Sequence, residues 1–218
     1  MITVTAADGF KFQAFTAGDA KAPRALVVLQ EIFGVNHHIR AVAERFAGHG
    51  YQVIAPALFD RASPGLELGY SEKDVAAGLE ARSKIPPEKT LLDIQACAQT
   101  QAGKPIGIIG YCWGGSLAWA GATQTKLFKA ASCWYGGQII QTKDAVPNCP
   151  VQMHFGSEDH SIPMKDVELI KAAQPDVDIY VYEGAKHGFG CDQRPSFSQQ
   201  DWELAWLRSL TFFAEHLR

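Results

Sequence analysis

Nowhere in the 218-residue sequence does an apolar run approach the roughly 20 positions that a membrane-crossing helix requires. Residues 1–8 contain no basic stretch leading into an apolar one, so no secretory leader is expected. Cysteine is sparse and odd in number. The five are scattered, without a CxxC pair or a Cys/His cluster at zinc-ligand spacing. A disulfide framework and a structural metal are both disfavoured, and a reduced, cytoplasmic protein is the expectation. Charge is also in short supply. With 20% charged residues and a net charge of −3, the chain has no long-range attraction for nucleic acid or an anionic membrane. No phosphate-cradling P-loop or dinucleotide GxGxxG occurs, so no cofactor is expected. Repeats, low-complexity tracts and Ser/Gly linkers are missing too, which favours one domain over residues 1–218, expected to work as a monomer.

What is present is an alternation of short apolar runs and helical patterns. Residues 2–5 and 10–15 read as a hairpin around the turn signal Asp8-Gly9. Ala25-Leu26-Val27-Val28-Leu29 is a continuous apolar run, which suits a strand covered on both faces. Similar runs recur at 52–55, 106–109, 130–134, 151–155 and 178–182. Between them, 38–49 carries Ile39, Val42, Ala43 and Phe46 on one helical face and stops at Gly50. Helices are also expected at 71–84, where Ser71 and Asp74 have capping-box spacing, at 88–101 after Pro86-Pro87, and at about 197–217. This alternation predicts an α/β fold with a mainly parallel central sheet and helices on both faces.

The most informative stretch is Ile106-Gly107-Ile108-Ile109-Gly110-Tyr111-Cys112-Trp113-Gly114-Gly115-Ser116. A buried strand enters Gly-x-Cys-x-Gly, which then opens a helix: a nucleophile elbow with Cys in place of Ser. So tight a turn needs small neighbours where backbones pass, and it holds the Cys112 sulfur clear near a helix N-terminus that favours thiolate. An ordinary buried cysteine is the better reading of Cys97 and Cys133, which lack that setting.

Such a nucleophile needs an imidazole, and the imidazole needs a carboxylate to hold its tautomer. In α/β-hydrolases the chain order is nucleophile, acid, histidine. Residues 151–155 read as a strand that runs into Gly156-Ser157-Glu158-Asp159. Asp159 is favoured over its neighbour Glu158, because His160-Ser161-Ile162-Pro163 resembles the turn into a following helix. The next strand leads to Lys186-His187-Gly188-Phe189 and presents His187 as the base, whereas His154, inside an apolar strand, reads as structural.

Together with Gln30-Glu31-Ile32-Phe33-Gly34-Val35-Asn36, these motifs resemble the dienelactone hydrolase family, carboxymethylenebutenolidase-like members of the α/β-hydrolase superfamily, over nearly the whole chain. The resemblance implies a triad of Cys112, Asp159 and His187, with Glu31 lying against a thiol that stays neutral until an anionic substrate enters. It further implies an oxyanion site from the N–H groups of Ile32 and Trp113, and capture of the substrate carboxylate by Arg61. The family's second arginine position is Cys191 here, and Arg194 is the nearby substitute. Tyr135, Phe189 and Trp113 are expected as apolar pocket walls. The implied substrate is a small anionic ester or lactone. A broader carboxylesterase or thioesterase, and a non-catalytic thiol redox sensor or ligand-binding protein, are the alternatives.

Overall fold

The computed structural model describes residues 1–218. Eight strands form one sheet in the order β1-β2-β4-β3-β5-β6-β7-β8, and six α-helices connect them. The strands are β1 Ile2–Thr5, β2 Lys11–Ala17, β3 Arg24–Leu29, β4 Tyr51–Pro56, β5 Ile106–Tyr111, β6 Ala130–Trp134, β7 Val151–Gly156 and β8 Asp178–Tyr182. The helices are α1 His37–Gly48, α2 Glu72–Ser83, α3 Pro87–Gln99, α4 Trp113–Gln124, α5 Met164–Ala173 and α6 Gln199–His216. None is long and apolar enough to cross a membrane. By its contacts the chain divides into two compact units, 1–107 and 108–218.

In the first unit, β1 and β2 form the expected antiparallel hairpin, with Ile2 opposite Ala14. Gly9 takes the left-handed φ of 82° that the turn demands, while Asp8 Oδ1 accepts the Phe10 N–H at 3.2 Å. β2 runs antiparallel to β4, and β3 runs parallel to β4 from the pair Arg24 and Tyr51. From Ala25 to Leu29, β3 is wholly buried, and burial stabilises each of its large apolar side chains by about 1.5–3 kcal/mol. α1 starts where the Asn36 carbonyl oxygen Oδ1 accepts the Ile39 N–H, and it buries Ile39, Val42, Ala43 and Phe46 as its periodicity predicts. α2 opens with a complete capping box between Ser71 and Asp74. A short 3₁₀ turn at Leu58–Arg61, unmarked by any periodicity, follows β4.

In the second unit β6, β7 and β8 pair in parallel. Ala131 faces Val151 between β6 and β7, and Gln152 faces Asp178 between β7 and β8. α4 is apolar nearly all round and is buried from Trp113 to Trp119, as expected of a helix inside a fold rather than on its surface. Loops at the C-terminal ends of β5, β7 and β8 therefore leave the sheet at the edge where α/β folds gather their chemistry.

Candidate active site

Between β5 and α4 the chain turns through a single residue, Cys112, at φ 56° and ψ −115°. A non-glycine residue in this region carries strain of order 1–3 kcal/mol, which the surroundings must hold in place. They do so here by hydrogen bonds: the Cys112 N–H donates to the Trp134 carbonyl at 3.0 Å, and the Cys112 carbonyl accepts the N–H groups of Gly115 and Ser116. Gly110 explains the elbow's spacing, because a Cβ there would stand 2.0 Å from the Gly114 carbonyl oxygen. The sulfur remains half-buried, unlike those of Cys97, Cys133 and Cys191, which are buried.

Asp159 lies in the loop after β7, with its side chain closed off from solvent. Its Oδ1 accepts backbone N–H groups of Ser161 at 2.8 Å and Ile162 at 3.1 Å. The other oxygen, Oδ2, lies 2.7 Å from Nδ1 of His187. Glu158 points outward and exposed, so the carboxylate that reaches the imidazole is Asp159. His187 is hydrogen-bonded to Cys112 on its other side. Burial alone makes this imidazole harder to protonate. The electrostatic interaction with Cys112 and the hydrogen bonds that the ring makes to Asp159 and Cys112 outweigh that, pushing the pKa up to about 10. Cys112, His187 and Asp159 thus form one continuous hydrogen-bonded chain within the second unit.

Trp113 is buried at the first position of α4, directly after Cys112. Arg194 carries its guanidinium against the residue after the imidazole: Nη1 lies 2.5 Å from where a Cβ on Gly188 would stand. Tyr135 and Phe189, expected as pocket walls, are instead fully buried supports. The Tyr135 ring meets the His187 ring edge-on at 5.2 Å, and Phe189 packs on Tyr135 and Trp134. They back the imidazole and present no surface to a substrate.

Arg61 requires a larger correction. Its Nε and Nη2 donate to the two oxygens of Asp93 at 2.8 and 2.7 Å, and Nη1 and Nη2 reach Asp8 at 3.1 and 3.2 Å. The guanidinium also lies 4.3 Å over the Phe10 ring. A fork already filled by two carboxylates has little to offer a third. Asp93 is fully buried, and burial raises its pKa against the pull of Arg61. Arg61→Ala should therefore act on stability, leaving a buried carboxylate unpaired at a cost of about 3 kcal/mol. Urea unfolding checks this. An unchanged midpoint, with loss of turnover on anionic substrates alone, would restore Arg61 to the substrate.

Glu31 and Ile32 follow β3 in the first unit and are both buried. The turn is pinned by Gln30, whose Oε1 accepts the Leu58 N–H and whose Nε2 donates to the Glu31 carbonyl. Gly78 of α2 bears directly on it, since a Cβ at 78 would sit 1.9 Å from the Ile32 carbonyl oxygen. The sequence shows Gly78 only as a glycine in a helical pattern, a weak sign of close packing. Gly78→Ala should push α2 off the turn and cost about 3 kcal/mol, read as a fall in thermal midpoint, where an exposed helical glycine would gain stability.

A family model, described as the dienelactone hydrolase family, matches residues 12–217. The chain belongs to the dienelactone hydrolase family. A relative in Synechocystis, provisionally named a carboxymethylenebutenolidase, is 38% identical over 213 residues, covering 88% of this chain and 86% of that one. The carboxymethylenebutenolidase of Pseudomonas putida is 29% identical over 225 residues, with 98% and 95% covered. Among solved structures, a protein of Klebsiella pneumoniae provisionally described as a dienelactone hydrolase has a TM-score of 0.84 and 31% identity, covering 98% of both chains. This dienelactone hydrolase family member is accordingly a hydrolase with the α/β-hydrolase fold.

Proposed function

We propose that this hydrolase cleaves small carboxylate-bearing esters or lactones by attack of the Cys112 sulfur and passage through an acyl-enzyme. The observation that carries the reading is the bridging position of His187, bonded to Asp159 on one side and to Cys112 on the other.

The proton cycle follows from the electrostatics. The imidazole takes the thiol proton, and the sulfur's charge holds it there. Attack on the carbonyl consumes that charge, so the imidazolium loses its main support and becomes a stronger acid as the leaving oxygen needs a proton. In a lactone the leaving oxygen stays attached to the acyl group. Water then adds to the thioester, His187 accepts its proton, and the thiolate leaves with a free carboxylate as product. The Trp113 N–H faces the developing oxyanion in this scheme. The roles of Ile32, as the second donor, and Glu31, as the carboxylate that responds to substrate entry, rest on family membership.

The filled fork of Arg61 favours a broader ester or thioester specificity as the second reading, and it leaves Arg194 as the cation beside the triad. Steady-state kinetics on an anionic lactone and a neutral aryl ester separates the two. Arg194→Ala should raise KM about tenfold or more for the anionic substrate alone, by loss of a charge-assisted contact. Equal effects on both substrates would favour the broad esterase. In either case one equivalent of iodoacetamide per chain should abolish turnover, and persistent turnover after full Cys112 alkylation would exclude thiol attack.

A further inference from the structure

Beneath the triad lies a buried polar chain that the proposed chemistry does not use. Trp134 on β6, His154 on β7 and Tyr180 on β8 stand in one cross-strand row, with ring centroids 4.9 and 5.5 Å apart. His154 is fully buried, and both its nitrogens are engaged: Nδ1 with the Tyr182 hydroxyl at 2.8 Å, Nε2 with Ser209 Oγ at 3.4 Å. Arg208 Nη1 donates to the same Tyr182 hydroxyl at 3.1 Å, while its guanidinium lies 4.0 Å over Tyr180.

These contacts give both nitrogens of the His154 ring a partner. An arginine can only donate, so the Tyr182 hydroxyl accepts from Arg208, and its own hydrogen is available to His154 Nδ1. In the Nε2–H tautomer the ring accepts that hydrogen at Nδ1 and donates to Ser209 from Nε2. Trp134 Nε1 donates to Ser209 Oγ and to Ser132 Oγ, each at 3.2 Å, and the two hydroxyls are hydrogen-bonded to each other at 3.2 Å. Burial, with the Arg208 charge behind it, pushes the His154 pKa down to about 3, consistent with a neutral ring. One hydrogen-bonded chain thus connects Arg208, Tyr182, His154, Ser209 and Ser132, and such chains strengthen their own links.

Its members also hold the backbone of all three triad loops. The Trp134 carbonyl accepts the Cys112 N–H, and the His154 carbonyl accepts the N–H of Tyr135, whose ring abuts His187. The Tyr182 carbonyl takes the N–H groups of Ser157, in the acid loop, and Ala185, in the histidine loop. Tyr135 is the only non-glycine residue besides Cys112 at positive φ, so this junction is strained as well as bonded.

We propose that His154 and Tyr182 are positioning residues, whose side-chain hydrogen bonds keep the ends of β6, β7 and β8 in the register that brings Cys112, Asp159 and His187 together. The proposal rests on the triad reading above. A displacement of about 1 Å in a catalytic constellation can cost on the order of a hundredfold in rate. Tyr182→Phe keeps the ring against Phe189 and removes only the hydroxyl; His154→Phe keeps the stack and removes both bonds; His154→Gln can still accept and donate.

Well below the unfolding temperature, Tyr182→Phe and His154→Phe should each lower kcat about 10- to 100-fold with KM within about twofold. His154→Gln should recover part of the loss. The downfield proton resonance of His187 Nδ1–H, which reports its bond to Asp159, should move or broaden in the two phenylalanine variants. That resonance does not depend on which residue attacks the substrate. Folded phenylalanine variants with kcat within twofold of the parent and an unmoved resonance would overturn the positioning role. Retained turnover in Cys112→Ala would instead overturn the triad reading, whatever the resonance shows.

Discussion

Replacing Cys112 with alanine is expected to lower kcat by about ten-thousandfold or more on every substrate the protein hydrolyses, since loss of a nucleophile leaves only binding and oxyanion stabilisation. The same position should show the opposite effect on stability. At φ 56° and ψ −115° only glycine is at ease, so Cys112→Gly should be more stable than the parent by about 1 kcal/mol while equally inactive. Turnover measurements with an aryl ester and urea unfolding of the same preparations check both halves. An alanine variant that keeps even a tenth of the parent's kcat would remove the sulfur from the mechanism. A glycine variant less stable than the parent would mean that the thiol's contacts outweigh the backbone strain.

Asp159→Asn is the second large effect, and its size follows from which oxygen bonds to what. Oδ1 is committed to the N–H groups of Ser161 and Ile162, so an asparagine keeps its carbonyl oxygen there and turns its NH₂ toward His187. Two donors then face each other unless the imidazole moves its proton to Nε2, which is the nitrogen needed to accept from the thiol. A fall in kcat of about ten-thousandfold with little change in fold is expected, by analogy with triads locked in the wrong tautomer. Carboxyl-to-amide change should also lower the affinity of His187 for its proton, because one of the contributions that raises it disappears. The pH-rate profile and the rate of Cys112 alkylation measure both consequences. Loss of less than tenfold would show that Asp159 is merely a loop brace.

The elements of this fold were readable where their determinants are local. The hairpin over β1 and β2 follows from alternation and Asp8-Gly9, the start of α2 from Ser71 and Asp74, and the elbow from glycines at fixed distance around Cys112. Each depends on residues within a few positions of one another, and the backbone responds to them before any tertiary contact forms. The order Cys112, Asp159, His187 was readable for a related reason: loops at the ends of parallel strands share one edge of the sheet, so chain order predicts the edge.

Side-chain partnership across long separations was not readable. Arg61 meets Asp93 and Asp8 at separations of 32 and 53 residues, and no pattern in the sequence distinguishes an arginine held by carboxylates from one waiting for a substrate. Tyr135 and Phe189 are aromatic near the triad in either reading, and only their burial shows that they brace His187 rather than line a cavity. His154 looked like one more strand residue until Tyr182 and Ser209, 28 and 55 positions away, closed around its two nitrogens. The sequence by itself determined the strands, the turns and the chain order of Cys112, Asp159 and His187, because periodicity and turn chemistry act locally. Tertiary structure decided which charges are spent on stability and which remain for chemistry, because a hydrogen bond exists only where packing brings donor and acceptor within about 3 Å.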